Sequence, residues 1–560
     1  MSTDPAPAWG RGIENQRRAN LGDGTYRNPV MGGDYPDPTL LRVGETYYMT
    51  FSSFESSPAL VLFRSTNLVD WEPVGPACPE PWGSVFATDL VEHAGRYYMY
   101  IPFMPASWSR VDEPTIAVMW SDDIEGEWNG PFDTGLRGYI DPGHAVGEDG
   151  ERYLFLNGVD RVRLTPDGLA ADGEAERVYD GWRYPADWVV ESYSLEGPKH
   201  MVRDGWHYLV SAVGGTAGPA TGHMIIVARS RSIHGPWQNM PANPLLRCTD
   251  AAQPWHSRGH GTLFEGPGGQ WYVIYHAYER GAQGLGRQIL LEPVDWTEDG
   301  WPAARGGDLA DPLPLPGGGA GVLPHGFALS DDFASPSWGW RWTFDRPGPD
   351  ETARADFSGE GLVLAGKGAD PSTSSPMCLR APDRSYRVEV GVELLPARDD
   401  GWSLRASAGA ARAELVLAVS RLVAEGRVRL VVGTRGLLGE GWDCPAVNTL
   451  VDLTTVTTST AVAQLRGRGM RLDASWPGKV AHTWSVTCLL PAGAGLVSST
   501  ELDRLRRKAD STWSVAPRTE ADGPEGRAER GAGAAAPRTG DDDRPGDPVV
   551  ETGLAAVLGP

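Results

Sequence analysis

Between Thr46 and Trp296 the chain repeats one pattern five times: an aromatic or apolar strand-like run, a gap, and a second run of the same kind. The first runs are Thr46-Tyr47-Tyr48-Met49-Thr50, Arg96-Tyr97-Tyr98-Met99-Tyr100, Arg152-Tyr153-Leu154-Phe155, His207-Tyr208-Leu209-Val210 and Gln270-Trp271-Tyr272-Val273-Ile274. Their partners are Leu60-Val61-Leu62-Phe63, Ile116-Ala117-Val118-Met119, Val162-Arg163-Leu164, Met224-Ile225-Ile226-Val227 and Gln288-Ile289-Leu290-Leu291. Four of the units then reach a tryptophan, at Trp71, Trp128, Trp237 and Trp296. Self-similarity at roughly 50 to 60 residues, in short strands separated by Gly, Asp and Pro turns, is the signature of a propeller of small antiparallel sheets. A β-sandwich would also use short strands but would not repeat. The expected fold is therefore all-β, a five-bladed β-propeller over residues 27–309 after an N-terminal extension at 1–26.

At 560 residues the chain exceeds one ordinary core, and its composition marks where further units begin. Residues 310–321 are rich in Pro and Gly and read as a linker. From Ser330-Asp331-Asp332-Phe333, strand-like runs through Leu362-Val363-Leu364 and Tyr386-Arg387-Val388-Glu389-Val390 read as the opening of a partial β-sandwich at 322–405. An Ala-, Leu- and Arg-rich stretch beyond Asp399 allows helix, and the run Val428-Arg429-Leu430-Val431-Val432 follows it, within a segment at 406–495. Residues 496–560 are dominated by Arg, Asp, Gly, Ala and Pro without periodicity, so a disordered tail is expected.

The 73 acidic against 50 basic side chains, net charge -23, disfavour binding to a phosphate backbone, which needs a positive field. No nucleic-acid or membrane partner is expected. Five widely spaced cysteines show no metal-ligand spacing and read as free thiols. Residues 1–26 are polar, without the apolar core of a signal peptide, and no later stretch has the length of an apolar membrane span. Cytoplasmic residence is the expectation.

Three short acidic motifs carry the chemistry: Tyr35-Pro36-Asp37-Pro38, Ile140-Asp141-Pro142-Gly143 and Leu195-Glu196-Gly197-Pro198. Asp-Pro pairs are ordinary turn starters, and the chain has six. Asp37 and Asp141 differ from the rest because each precedes a candidate inner strand of a blade, and Glu196 stands similarly ahead of Lys199-His200-Met201-Val202. Three blades would each deliver one carboxylate to an axial pocket. Two carboxylates flanking a sugar are the minimal machinery for cleaving a glycosidic bond, and a third can tune the acid of that pair.

Together with Asn28-Pro29-Val30, Ser65-Thr66-Asn67-Leu68-Val69-Asp70-Trp71 and Gly259-His260-Gly261, these motifs make residues 27–303 resemble glycoside hydrolase family 43. Members are inverting five-bladed propeller enzymes acting on xylosides and arabinosides. The resemblance implies that Asp37 is the general base, Glu196 the general acid, and Asp141 the group that orients the acid and raises its pKa. It implies that Arg287 reaches sugar hydroxyls, with a salt bridge between strands as the plain alternative. Phe54 and Phe86 occupy places of pocket aromatics, although core packing would also account for them. His260 matches an axial histidine that helps hold a hydrated calcium ion; a core histidine satisfied by hydrogen bonds is the other reading. No cofactor is required. Phe86-Ala87-Thr88-Asp89 stands where the family has Trp-Ala-Pro-Asp, which implies a smaller stacking surface. The function implied is release of xylose from β-xylosides or xylo-oligosaccharides, with an α-L-arabinofuranosidase or a non-catalytic carbohydrate-binding propeller as alternatives. A retaining fructosidase would show Asn-Asp-Pro-Asn, which is absent.

Residues 427–489 resemble a different family, the C-terminal part of superfamily 2 helicases. Gly433-Thr434-Arg435-Gly436-Leu437-Leu438-Gly439-Glu440-Gly441-Trp442-Asp443 is similar to motif V, and Gln464-Leu465-Arg466-Gly467-Arg468-Gly469-Met470-Arg471 to motif VI. A motor would also need a phosphate-cradling G-x-x-x-x-G-K-[ST] loop, and none is present. The segment therefore reads as a small α/β helicase-like fragment joined to an incomplete sandwich.

Overall fold

Apolar runs that stay buried on both faces form the middle of five successive antiparallel sheets, each of four main strands in chain order. The computed structural model describes residues 9–335, 339–348, 351–357, 361–367, 373–384 and 386, and beyond these only short stretches between 420 and 557. The first sheet comprises Thr39–Val43, Thr46–Thr50, Ala59–Ser65 and Glu72–Cys78; the second, Asp89–His93, Arg96–Met104, Thr115–Ser121 and Asn129–Arg137. The third comprises Gly143–Val146, Arg152–Phe155, Asp160–Arg163 and Glu176–Arg177; the fourth, Glu196–Arg203, Trp206–Val213, Met224–Ser230 and Gln238–Asn239. The fifth comprises Trp255–Glu265, Trp271–Glu279, Arg287–Trp296 and Pro302–Ala304.

Every residue of Met224–Ser230 is buried, and Ala59–Ser65 and Thr115–Ser121 expose one position or less. Strands covered on both faces need continuous rather than alternating apolar sequence, which is the repeat seen in the chain. The four recurrent tryptophans mark the way to the last strand: Trp71, Trp128 and Trp237 immediately precede it, and Trp296 ends the strand before it. The third sheet has no such tryptophan, and its last strand is only Glu176–Arg177.

Five buried apolar clusters lie between neighbouring sheets. Four join successive pairs. The remaining one joins the fifth sheet, through Ile274, Ile289 and Leu291, to the first, through Met49, Phe63 and Trp71. The first strand of each sheet likewise neighbours the first strand of the next, and that of the fifth neighbours that of the first. Ahead of the first sheet, Asn28 caps this junction: its Nδ2 donates to Leu291 O at 2.8 Å and its Oδ1 accepts Leu291 N–H at 2.9 Å.

A buried ion pair braces the inner strands. Lys199 Nζ donates to Asp89 Oδ1 and to Thr88 O, both at 2.7 Å, while Asp89 Oδ2 accepts the backbone N–H of His144 at 2.7 Å. Thr39 Oγ1 adds a 3.3 Å bond to Asp89. One carboxylate thus ties together the inner strands of the first four sheets.

Met1–Tyr386, with Gly493–Val497, is one compact unit and the remainder is a second. The expected sandwich opening at Asp331-Asp332-Phe333 is irregular. Asp331 and Asp332 accept the backbone N–H groups of Phe333 and Ala334, a local bonding pattern that competes with strand pairing. The described strands that follow, up to Tyr386, are two or three residues long, and one of them, Thr343–Asp345, pairs with Ser56–Ser57 and Met377–Cys378. In the second unit, Ala481–Ser485 pairs in parallel with Thr449–Asp452 and with Val550–Gly553, and a short helical turn covers 420–424. The helicase-like stretches at 433–443 and 464–470 lie outside the described residues, as does the tail at 496–560 apart from Val550–Gly553 and Ala556–Val557. Among the described residues no helix is long and apolar enough to cross a membrane.

Candidate active site

Asp37, Asp141 and Glu196 stand at or just before the inner strands of the first, third and fourth sheets. Asp37 and Asp141 both adopt a left-handed backbone, with φ of 57° and 55°. The proline after each disfavours the right-handed helical region, and aspartate is among the few non-glycine residues that tolerate this one. Glu196 begins its strand paired to Ala212, and the register then shifts before Lys199. The motif glycines allow close passage. A Cβ at Gly143 would meet Pro198 O at 1.8 Å, and one at Gly197 would meet His260 Nε2 at 2.8 Å. Asp141 Oδ2 in turn accepts the Gly197 N–H at 3.0 Å, so the second and third motifs are bonded to each other.

Asp37 is held as an anion. Its Oδ1 lies 3.1 Å from Arg287 Nη1 and 3.4 Å from His260 Nδ1, and its Oδ2 accepts from Ser52 Oγ at 2.6 Å. Burial alone would raise its pKa, but the Arg287 charge beside it more than offsets this and holds the carboxyl well below the usual carboxylate range.

Asp141 and Glu196 are biased the other way. Burial first, and then the negative charge of Asp37, push Asp141 up to about 7. Burial, followed by Asp141 and Asp37, raises Glu196 well above its ordinary value. Two such groups titrate as a pair. The N–H of Gly197 and the Lys199 charge favour the ionised form of Asp141, so the shared proton resides on Glu196. Glu196 is also the more open group, its side chain 21% exposed against 5% for Asp141 as a residue.

The other expected residues gather beside Asp37. The Phe54 and Phe86 rings meet edge to face at 5.1 Å, and the Arg287 guanidinium lies 5.0 Å from the Phe54 ring. Both phenylalanines are only partly buried, and Phe54 too has a left-handed backbone, φ 46°. His260 falls within the second of two register irregularities of the fifth inner strand, the one between Gly259 and Thr262, with φ 52°.

Three neighbours of the carboxylates went unnoticed in the sequence: Ser52, His223 and His276. His276 Nδ1 accepts the backbone N–H of Asp37 at 3.0 Å, which leaves the imidazole proton on Nε2. Burial holds His260 and His276 at about 4 and His223 well below its usual range, so all three are neutral. His276 ends the run Trp271-Tyr272-Val273-Ile274-Tyr275, and His223 opens Met224-Ile225-Ile226-Val227. Each abuts an apolar run, a position that by itself does not separate a core histidine from a residue of the site.

The Nε2 atoms of His260 and His276 have no hydrogen-bond partner and are buried. They fit the waters of a hydrated cation better than the cation itself, because calcium prefers oxygen. No three His, Cys, Asp or Glu side chains among the described residues converge as direct ligands.

A ring of sheets presenting one carboxylate held ionised and another held protonated is the arrangement of glycoside hydrolases. The model of glycosyl hydrolases family 43 matches residues 26–302, just under half of the chain. A non-reducing end alpha-L-arabinofuranosidase of Bacteroides ovatus is 28% identical over 351 residues, 58% of this chain and 62% of that protein. A xylan 1,3-beta-xylosidase of a Vibrio species is 28% identical over 320 residues, 50% of this chain and 57% of that protein. The crystal structure of the family 43 protein BlXynB from Bacillus licheniformis aligns with a TM-score of 0.55 at 27% identity, covering 64% of this chain and 72% of that one. The chain thus spans less than two thirds of the length of these two curated relatives.

Proposed function

We propose that this chain is an inverting, exo-acting glycoside hydrolase that releases xylose from β-xylosides or xylo-oligosaccharides, its five sheets being the blades of a propeller. The observation that carries this is the contrast in surroundings within one site: Asp37 is bonded to Arg287 and Ser52, which favours its anion, while burial and the Asp141 and Asp37 charges favour the protonated form of Glu196. Glu196 gives its proton to the glycosidic oxygen as the bond breaks. Asp37 takes a proton from a water that attacks the anomeric carbon from the opposite face, which inverts its configuration. Asp141 orients the acid and, as a nearby like charge, favours its protonated form. Arg287 and the Phe54–Phe86 pair supply hydrogen bonds and an apolar wall for the sugar. Bound near His260, a hydrated cation would add positive charge on the axis.

An α-L-arabinofuranosidase is the second reading, supported by the name of the Bacteroides ovatus relative. A non-catalytic binding propeller would have no use for the split protonation of the carboxylates. The test is hydrolysis of aryl xyloside, arabinofuranoside and galactoside, with proton NMR of the first product. Xyloside turnover giving the inverted anomer is expected. An initial product of retained configuration would remove Asp37 from the base role, and no turnover across the panel would leave only a binding protein.

A further inference from the structure

His223 is a buried side chain that the mechanism above does not use. It is 0% exposed, and neither ring nitrogen has a hydrogen-bond partner. Leaving a buried polar group unpaired is unfavourable, whereas an aromatic hydrocarbon side chain would fill the same space without that cost. The fold makes specific room for this ring. A Cβ at Gly259 would come within 1.8 Å of His223 Cδ2, and the imidazole stacks on that of His276 at 5.3 Å with the planes 6° apart. His276 holds the Asp37 backbone, so His223 is seated against the cradle of the base while facing the acid.

Its Nδ1 lies 4.0 Å from Glu196 Oε1. That is too long for a hydrogen bond and equals the span of one shared oxygen, with two bonds of about 2.8 Å meeting at about a right angle, which a small shift of the 21%-exposed Glu196 side chain would admit beside the fully buried ring. We propose that His223 is a positioning residue for the general acid, holding Glu196 Oε1 through one bridging water so that Oε2 carries the proton toward the glycosidic oxygen. The His223 Nδ1–H donates to the water, and the water donates to Oε1. This rests on the hydrolase reading for its purpose, but not for its geometry.

Two measurements test it. A crystal structure of the intact protein, at a resolution that shows waters, should place an oxygen within hydrogen-bond distance of both Nδ1 and Oε1; an empty gap overturns the proposal even if no glycoside is turned over. The second measurement is kinetic, on xylosides of graded leaving-group acidity. His223→Phe should lose roughly 30–100-fold in kcat on poor leaving groups and less than about threefold on good ones, because only the former need a well-aimed proton. His223→Asn, whose amide nitrogen falls near the place of Nδ1, should recover most of the loss, and His223→Gln should not. If the phenylalanine variant fails to fold, Asn against Gln decides the matter. Equal loss across the series, or Asn no better than Gln, makes His223 a packing residue.

Discussion

Asp37 is buried and Glu196 half-buried in one site, and their neighbours set them apart. Asp37 meets a guanidinium, a hydroxyl and two imidazoles, whereas Glu196 lies in the field of the Asp141 and Asp37 charges. Asp37→Ala should abolish turnover even of activated aryl glycosides, since no other group is placed to activate the water. Glu196→Ala should lose far less on good leaving groups than on poor ones. Steady-state rates on nitrophenyl and alkyl glycosides check this, and parallel losses for both variants would refute the assignment. The pair Asp141 and Glu196 also fixes a sign for stability. The Asp141 carboxyl has an ordinary value of 3.8 and a folded value of about 7, so between these the folded state holds more protons and stability falls as pH rises. Asp141→Asn removes that penalty. It should stabilise the protein by on the order of 1–3 kcal/mol at pH 8 and not at all below pH 3, as read from urea midpoints at the two pH values. A gain that persists at low pH would mean the asparagine simply packs better.

At the scale of strands, the Lys199–Asp89 pair is the brace to break. Both residues are at most 7% exposed, and removing one partner leaves a buried charge alone. Lys199→Met should cost about 3–5 kcal/mol in urea denaturation, and adding Asp89→Asn should recover a large part of it. A single variant as stable as the wild type would show that water reaches the axis. The same scale explains what was legible in the sequence. The second and third strands of each sheet, covered on both faces, wrote themselves as apolar runs, and the motif aspartates announced the starts of the inner strands. The outer strands did not, because residues such as those of Asn129–Arg137 alternate with solvent and Gln238–Asn239 is fully exposed. Likewise Asp37 and Asp141 were found through their prolines, while His223 and His276 have no motif of their own. They owe their place to long-range packing between the fourth and fifth sheets, which no local pattern encodes.

For the whole molecule, composition placed a boundary in the Pro- and Gly-rich stretch at 310–321, whereas the compact unit continues to Tyr386. The segment past Gly321 returns along the ring of sheets. His325 Nδ1 accepts the Trp71 N–H at 3.0 Å, Gly326 donates to Trp71 O at 2.8 Å, and the Phe327 ring packs on Phe63 at 5.5 Å. Further on, Arg346 N–H donates to Glu55 O at 2.9 Å, beside Phe54. The Arg380 guanidinium lies 5.1 Å from the Tyr35 ring, two residues before Asp37, and Arg384 pairs with the buried Glu279 at 2.6 Å. Ending the chain at Gly321 would expose Phe63 and Trp71 and leave Glu279 with Arg17 as its remaining cation among the described ion pairs. A chain of residues 1–386 should therefore unfold at the same temperature as the full protein. One of residues 1–321 should unfold several degrees lower, at roughly 2–4 °C per kcal/mol lost, with a raised KM from loosening of the Phe54–Phe86 wall. Calorimetry of the two chains side by side decides it. Equal midpoints and equal KM would mean that the segment past Gly321 lies on the ring of sheets without supporting it.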